Sequence, residues 1–120
     1  MLLPLTQTVV LANTCVGWLG DALDASEQAL YNFDMGAVHE AFLQLIQDDQ
    51  AGNGDVPVVV PGPASRDTPK ASPGCNDIAW TAAYPLITHM QLQYYGNTRI
   101  VDRQWPSLVK YALLLSNSGL

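Results

Sequence analysis

The sequence predicts an all-α fold, two helical hairpins joined by a long loop. Three observations point to it. Apolar residues recur at helical spacing through four separate segments. The breaks inside each pair of segments, at 34–36 and 96–97, are short. The stretch between the pairs, 51–76, holds five of the eight prolines and four of the nine glycines.

The first helix is predicted over 21–33, with Ala22, Leu23, Ala25, Ala29, Leu30 and Phe33 apolar and Asp24, Glu27 and Gln28 between them. Asp21 is placed to cap it, and Asp24 suits its first turn. The second helix follows the 34–36 break and runs to about Gln50. Its expected apolar stripe is Val38, Ala41, Phe42, Leu45 and Ile46. In the loop, VPVVVP has the composition of a strand. Its flanking prolines and the lack of a partner strand argue against one. An ordered loop is expected nonetheless, because Val56 to Val60 is too apolar to be left in water; a linker without structure is the alternative.

The third helix, 77–95, is apolar nearly all round, the pattern of a helix that lies inside a structure. Pro85 should bend it, Gly96 should stop it, and Asn97-Thr98 should cap the next. The fourth helix, 98–116, is expected to bury Ile100, Val101, Trp105, Leu108, Val109, Ala112 and Leu113. Pro106 should divide it, with a restart near Ser107. No repeat beyond this pairing of helices is visible.

A chain of 120 residues allows one domain or part of one. Eleven acidic residues against five Lys and Arg give a net charge of −6, with no basic cluster to offset it. Nucleic acid is therefore not expected as a partner, whereas a neutral ligand such as a sugar is compatible. Cys15 and Cys75 are too few for a disulfide framework and lack CxxC spacing; two thiols is the simple reading, one disulfide between loops the other. No apolar run reaches the roughly 18 residues that span a membrane. The start, MLLPLTQTVVLA, has no Lys or Arg before its apolar stretch, and Pro4, Thr6, Gln7 and Thr8 interrupt it, so a signal peptide is not expected. Localisation stays open.

Two places could carry chemistry. GWLGD, 17–21, sets Trp18 three residues before Asp21. An aromatic face beside a carboxylate holds a sugar well: CH groups pack on the ring and the acid accepts hydroxyl protons. The plainer reading is a buried Trp and a helix-capping Asp. Asp77-Ile78-Ala79-Trp80 repeats the acid-plus-Trp pairing where another loop enters a helix, which strengthens the sugar reading. His39 and His89 each stand alone on a helix with no second ligand at i+4, so no metal is expected, and roles at the surface or as hydrogen-bonded core residues are favoured. No cofactor fingerprint, phosphate loop or hydrolase elbow is present.

The order GWLGDALDASEQALYNFDM, GDVPVVVP, DIAWTAAYPLI, YYGNTRIVDRQWPSLVKY resembles the catalytic domain of bacterial-type α-L-rhamnosidases, the six-hairpin glycosidases. The likeness covers roughly 16–116. It divides the chain into a non-matching segment, 1–15, and a partial glycosidase domain, 16–120. The resemblance implies an (α/α)6 barrel of which two hairpins are about a third, no cofactor, and inverting hydrolysis of terminal α-L-rhamnose. Inversion uses a general acid and a general base on opposite faces of the sugar. The resemblance implies that Asp21 is a pocket carboxylate supporting catalysis and that Trp18, Asp77 and Trp80 contact the sugar or shape its pocket. The family's Arg-Glu pair before GWxGD, whose Glu is the general acid, falls here on Asn13 and Thr14, and a Thr hydroxyl cannot replace a carboxylic acid of tuned pKa. The general base comes from a later helix than the chain contains. The expectation is a fragment of a carbohydrate-metabolism enzyme, inactive as it stands. The alternative is a non-catalytic helical module that binds a sugar or a partner, and uncovered apolar helix faces in either case favour self-association.

Overall fold

A computed structural model describes residues 17–61 and 78–118. Five helices carry the fold: α1 (Leu19–Asn32), α2 (Gly36–Asp49), the short α3 (Ile78–Thr81), α4 (Ala83–Tyr95) and α5 (Thr98–Asn117). The all-α class and the two pairs of helices agree with the sequence reading. Among the described residues no helix is long and apolar enough to cross a membrane.

The helix read as internal takes the central place. α4 packs against α1, α2 and α5, and its Ala83, Tyr84, Ile87, Thr88 and Gln91 are buried. The neighbouring face of α1 is small. Leu19 leads it, and Ala22, Ser26 and Ala29 follow at helical spacing, all buried. Side chains of that size let two helix backbones approach closely. Contacts at both ends fix the direction of this pair: Gly20 meets Trp80 just before α4, and Tyr31 meets Tyr94 in its last turn. α1 and α4 therefore run parallel, with their starts at one end of the molecule. Tyr94 donates its hydroxyl to Glu27 Oε1 at 2.9 Å, and hydrogen bonding to Tyr31 and then Glu27 raises its pKa.

Several expectations are corrected. α1 starts at Leu19, and Trp18, not Asp21, is its N-cap. No described side chain caps it; the backbone carbonyl of Val58 accepts the Leu19 N–H at 2.9 Å and serves one of the donors a helix start leaves free. The same contact explains the valine run. Val59–Val60 (β2) pairs antiparallel with Gly17–Trp18 (β1), Gly17 opposite Val60 and Trp18 opposite Val59. The partner strand does exist, but two residues are too short to show a period of two. Val56 and Val60 are buried as an ordered loop requires, and the Val60–Pro61 peptide bond is cis.

α2 is rotated from its predicted face. Met35, His39, Leu43 and Ile46 point into the core, whereas Ala41 and Leu45 are exposed. A core histidine is invisible to an apolar pattern, so the stripe was read one position off. Nor is His39 hydrogen-bonded: it is 2 % exposed, and neither ring nitrogen has a partner among the described residues.

The predicted bend at Pro85 appears as the break between α3 and α4 at Ala82. A proline has no N–H for the carbonyl four residues back, here Thr81, and its ring crowds that oxygen. Thr81 instead meets the hydroxyl of Tyr111 through its own Oγ1 at 2.8 Å. Pro106, by contrast, does not divide α5, which continues through it. Pro106 is on the exposed side of the helix. Side chains of α2 and its C-cap hold that turn: Gln47 Nε2 donates to Ser107 Oγ at 2.9 Å, and Gln50 Nε2 donates to the Ser107 carbonyl at 2.9 Å.

The buried face of α5 is Ile100, Gln104, Ser107 and Tyr111. Trp105, Val109, Ala112 and Leu113, expected inside, are exposed, Trp105 at 61 %. Trp105, Val109 and Ala112, with Pro85, His89 and Leu92 of α4, line an open apolar groove of about 520 Å³.

The turn before α5 follows the sequence closely. Gly96 takes the left-handed conformation at φ 60° and ends α4, and Asn97 Oδ1 accepts the Ile100 N–H at 3.1 Å. Tyr95 Oη accepts the Met35 N–H at 2.8 Å. Glu40 on α2 pairs with Arg99 at 3.2 Å and Arg103 at 3.3 Å, and accepts from Asn97 Nδ2 at 3.3 Å. YYGNTRI is thus a structural tie of this turn to α2.

Candidate functional site

The parallel course of α1 and α4 brings the two tryptophans together across 62 positions of sequence. Trp18 and Trp80 meet edge to face, ring centroids 5.7 Å apart and planes at 77°. That arrangement is a favoured one for two aromatic quadrupoles. Both side chains are half-buried. Trp18 is held from behind by the β1–β2 pairing, which fixes its backbone against Val59. Trp80 rests on α1 at Gly20.

Asp21 lies in the first turn of α1, three residues after Trp18, and is exposed. Its carboxylate has no hydrogen-bond partner among the described residues. It is therefore free to accept hydroxyl protons from a ligand. Asp77 lies outside the described residues, as do Asn13, Thr14, Cys15 and Cys75. Of the sequence-predicted site residues, Trp18 and Trp80 are in contact, and Asp21 shares their end of the fold.

Gly20 is the site residue that sequence reasoning missed. A helix predicted from residue 21 leaves Gly20 outside it, but the residue is inside α1. Its reason is the ring above it, and only a partner 60 positions away reveals that. The apolar groove on α4 and α5 includes none of Trp18, Asp21 and Trp80.

Two buried groups elsewhere are strongly perturbed. Burial alone lowers His39 from 6.5 to about 4. Burial pushes the Tyr84 phenol up to about 12, against a smaller opposing effect of a hydrogen bond with Ser107, and the same hydroxyl donates to Gln104 Oε1. Burial likewise raises Tyr111. All three are structural groups of the helix core, away from Trp18 and Asp21 in the chain.

An all-α chain of paired helices is consistent with a fragment of a helical-hairpin domain. The model of the family described as the bacterial alpha-L-rhamnosidase 6 hairpin glycosidase domain matches residues 14–118, and the chain belongs to that family. It is 29% identical over 100 residues to an alpha-L-rhamnosidase of Formosa agariphila, across 77% of this chain and 10% of that protein. The chain thus spans about a tenth of the length of this curated relative. No solved structure matches it.

Proposed function

We propose that this chain forms part of the carbohydrate site of an α-L-rhamnosidase-like domain, with Trp18 and Trp80 as the aromatic wall and Asp21 as the carboxylate beside it. The observation that carries this reading is the edge-to-face contact of Trp18 and Trp80 at 5.7 Å, with Asp21 three residues after Trp18, exposed and without a hydrogen-bond partner among the described residues. A deoxysugar presents CH and methyl groups to such a wall and hydroxyls to such an acid. Asp77 joins them through the family resemblance, from a position directly before α3. The overall reaction supported is inverting hydrolysis of terminal α-L-rhamnose, in which Asp21 binds and orients the sugar.

By itself the chain binds without turning over. The family's general acid falls on Thr14, and Thr cannot deliver the proton that bond cleavage needs. Purified chain mixed with an aryl α-L-rhamnoside should release no phenol, while L-rhamnose should quench its tryptophan fluorescence. Phenol release that Asp21→Asn abolishes would overturn the claim of inactivity. Absence of quenching would overturn the site.

The second reading, a helical interaction module, draws on a different feature, the exposed groove between α4 and α5. In that reading the groove, not the tryptophan end, is the functional surface, and two copies associate through it.

A further inference from the structure

Gly20 is the second residue of α1, and glycine is a poorer helix former than alanine. The space its side chain would fill is taken. A Cβ on Gly20 would stand 2.7 Å from Trp80 Cδ2, 2.9 Å from Cε2 and 3.1 Å from Cε3. These atoms belong to the ring fusion and the benzo ring, so the indole lies directly on the bare backbone of the helix. No flexible chain end is available to give way. The same indole meets Trp18 at 5.7 Å and 77°. One ring therefore has two fixed neighbours: Gly20, which sets how closely it approaches α1, and Trp18, which it meets at that depth.

We propose that Gly20 is a positioning residue: by presenting backbone alone it seats Trp80 and so sets the Trp18–Trp80 geometry of the carbohydrate wall. The part concerning carbohydrate rests on the function proposed above; the part concerning geometry does not. A methyl group at Gly20 must move the Trp80 ring outward and break the edge-to-face contact, although alanine is the better helix former.

The test uses the full chain and three variants, Gly20→Ala, Trp80→Leu and the double substitution. Coupled indoles give an exciton couplet in the far-ultraviolet circular dichroism spectrum. Gly20→Ala should lose it while keeping the helical signal. Gly20→Ala should lower the melting temperature in the native background, and should leave it unchanged or raise it in Trp80→Leu, where the obstructing ring is gone and only helix propensity remains. L-rhamnose affinity, read by fluorescence quenching, should fall on the order of tenfold in Gly20→Ala. A retained couplet, or an equal loss of stability in both backgrounds, overturns the positioning role. A lost couplet with unchanged rhamnose affinity overturns its link to the sugar. A native chain that fails to bind rhamnose overturns the site reading, and the couplet and the stability comparison still decide what Gly20 does.

Discussion

Gly54 and Lys110 bring backbone against backbone: a Cβ on Gly54 would stand 2.4 Å from the Lys110 carbonyl oxygen. Gly54 also holds φ at 99°, a conformation that L side chains rarely adopt. Here the loop after α2 touches the second half of α5, and Gln50 Nε2 reinforces the contact by donating to the Gly54 carbonyl at 3.0 Å. Gly54→Ala should destabilise the chain by more than about 1 kcal/mol, from backbone strain and the displaced contact together. Urea denaturation checks it. Gly52→Ala, whose Cβ would meet nothing within 4 Å, is the control and should lie near the native value.

The buried imidazole of His39 makes stability depend on pH. Its pKa is about 4 in the fold against 6.5 for an exposed histidine, so the unfolded chain binds the proton more readily. The neutral ring's contribution is fully present above about pH 6.5 and is lost as pH falls toward 4. The shift corresponds to roughly 3 kcal/mol at the acid end. Denaturation at pH 7.5 and pH 4.5 should show the native chain losing about 2–3 kcal/mol more than His39→Leu, a variant with nothing to protonate at that position. Equal losses would contradict this account of the ring.

Self-association through the exposed apolar face of α5 is the expectation of the second reading. Trp105 and Leu113 are 61 % and 57 % exposed, on a helix whose opposite side is well packed. Apolar surface of this kind is covered when a second copy offers the same surface. Light scattering should show the mass of the native chain rising with concentration, and Trp105→Lys together with Leu113→Lys should hold it at the monomer value. A native chain of one mass at all concentrations counts against self-association.

Much of this fold was legible in the sequence. Gly96 and Asn97 stop and cap helices for local reasons, and local reasons can be read from neighbours. The apolar circumference of the third predicted helix gave α4 its central place. What escaped the reading is what depends on distant partners. His39 replaces an apolar residue in the core, so the face of α2 was misjudged. Trp105, Val109 and Leu113 have the spacing of a packed face but find nothing described to pack on. Pro106 lies on the outer side of its helix, where a proline is tolerated, and sequence does not say which side is outer. Of the site, Trp18 and Asp21 were visible as types and spacing, whereas the stacking of Trp80 on Gly20 joins two segments that no local pattern links.

The central position of α4 has a consequence for how this chain comes to exist as a folded body. α1 and α2, made first, both rest on a helix that is translated after them, and Val58 and Gly54 reach in turn to α1 and α5. Neither half holds a finished interior, and the first half must wait for the second. Supplied as two separate pieces, 17–61 and 78–118, the chain would keep every described helix whole, yet each piece would carry the mould of the other, like two parts of a split reporter whose signal returns only when they meet.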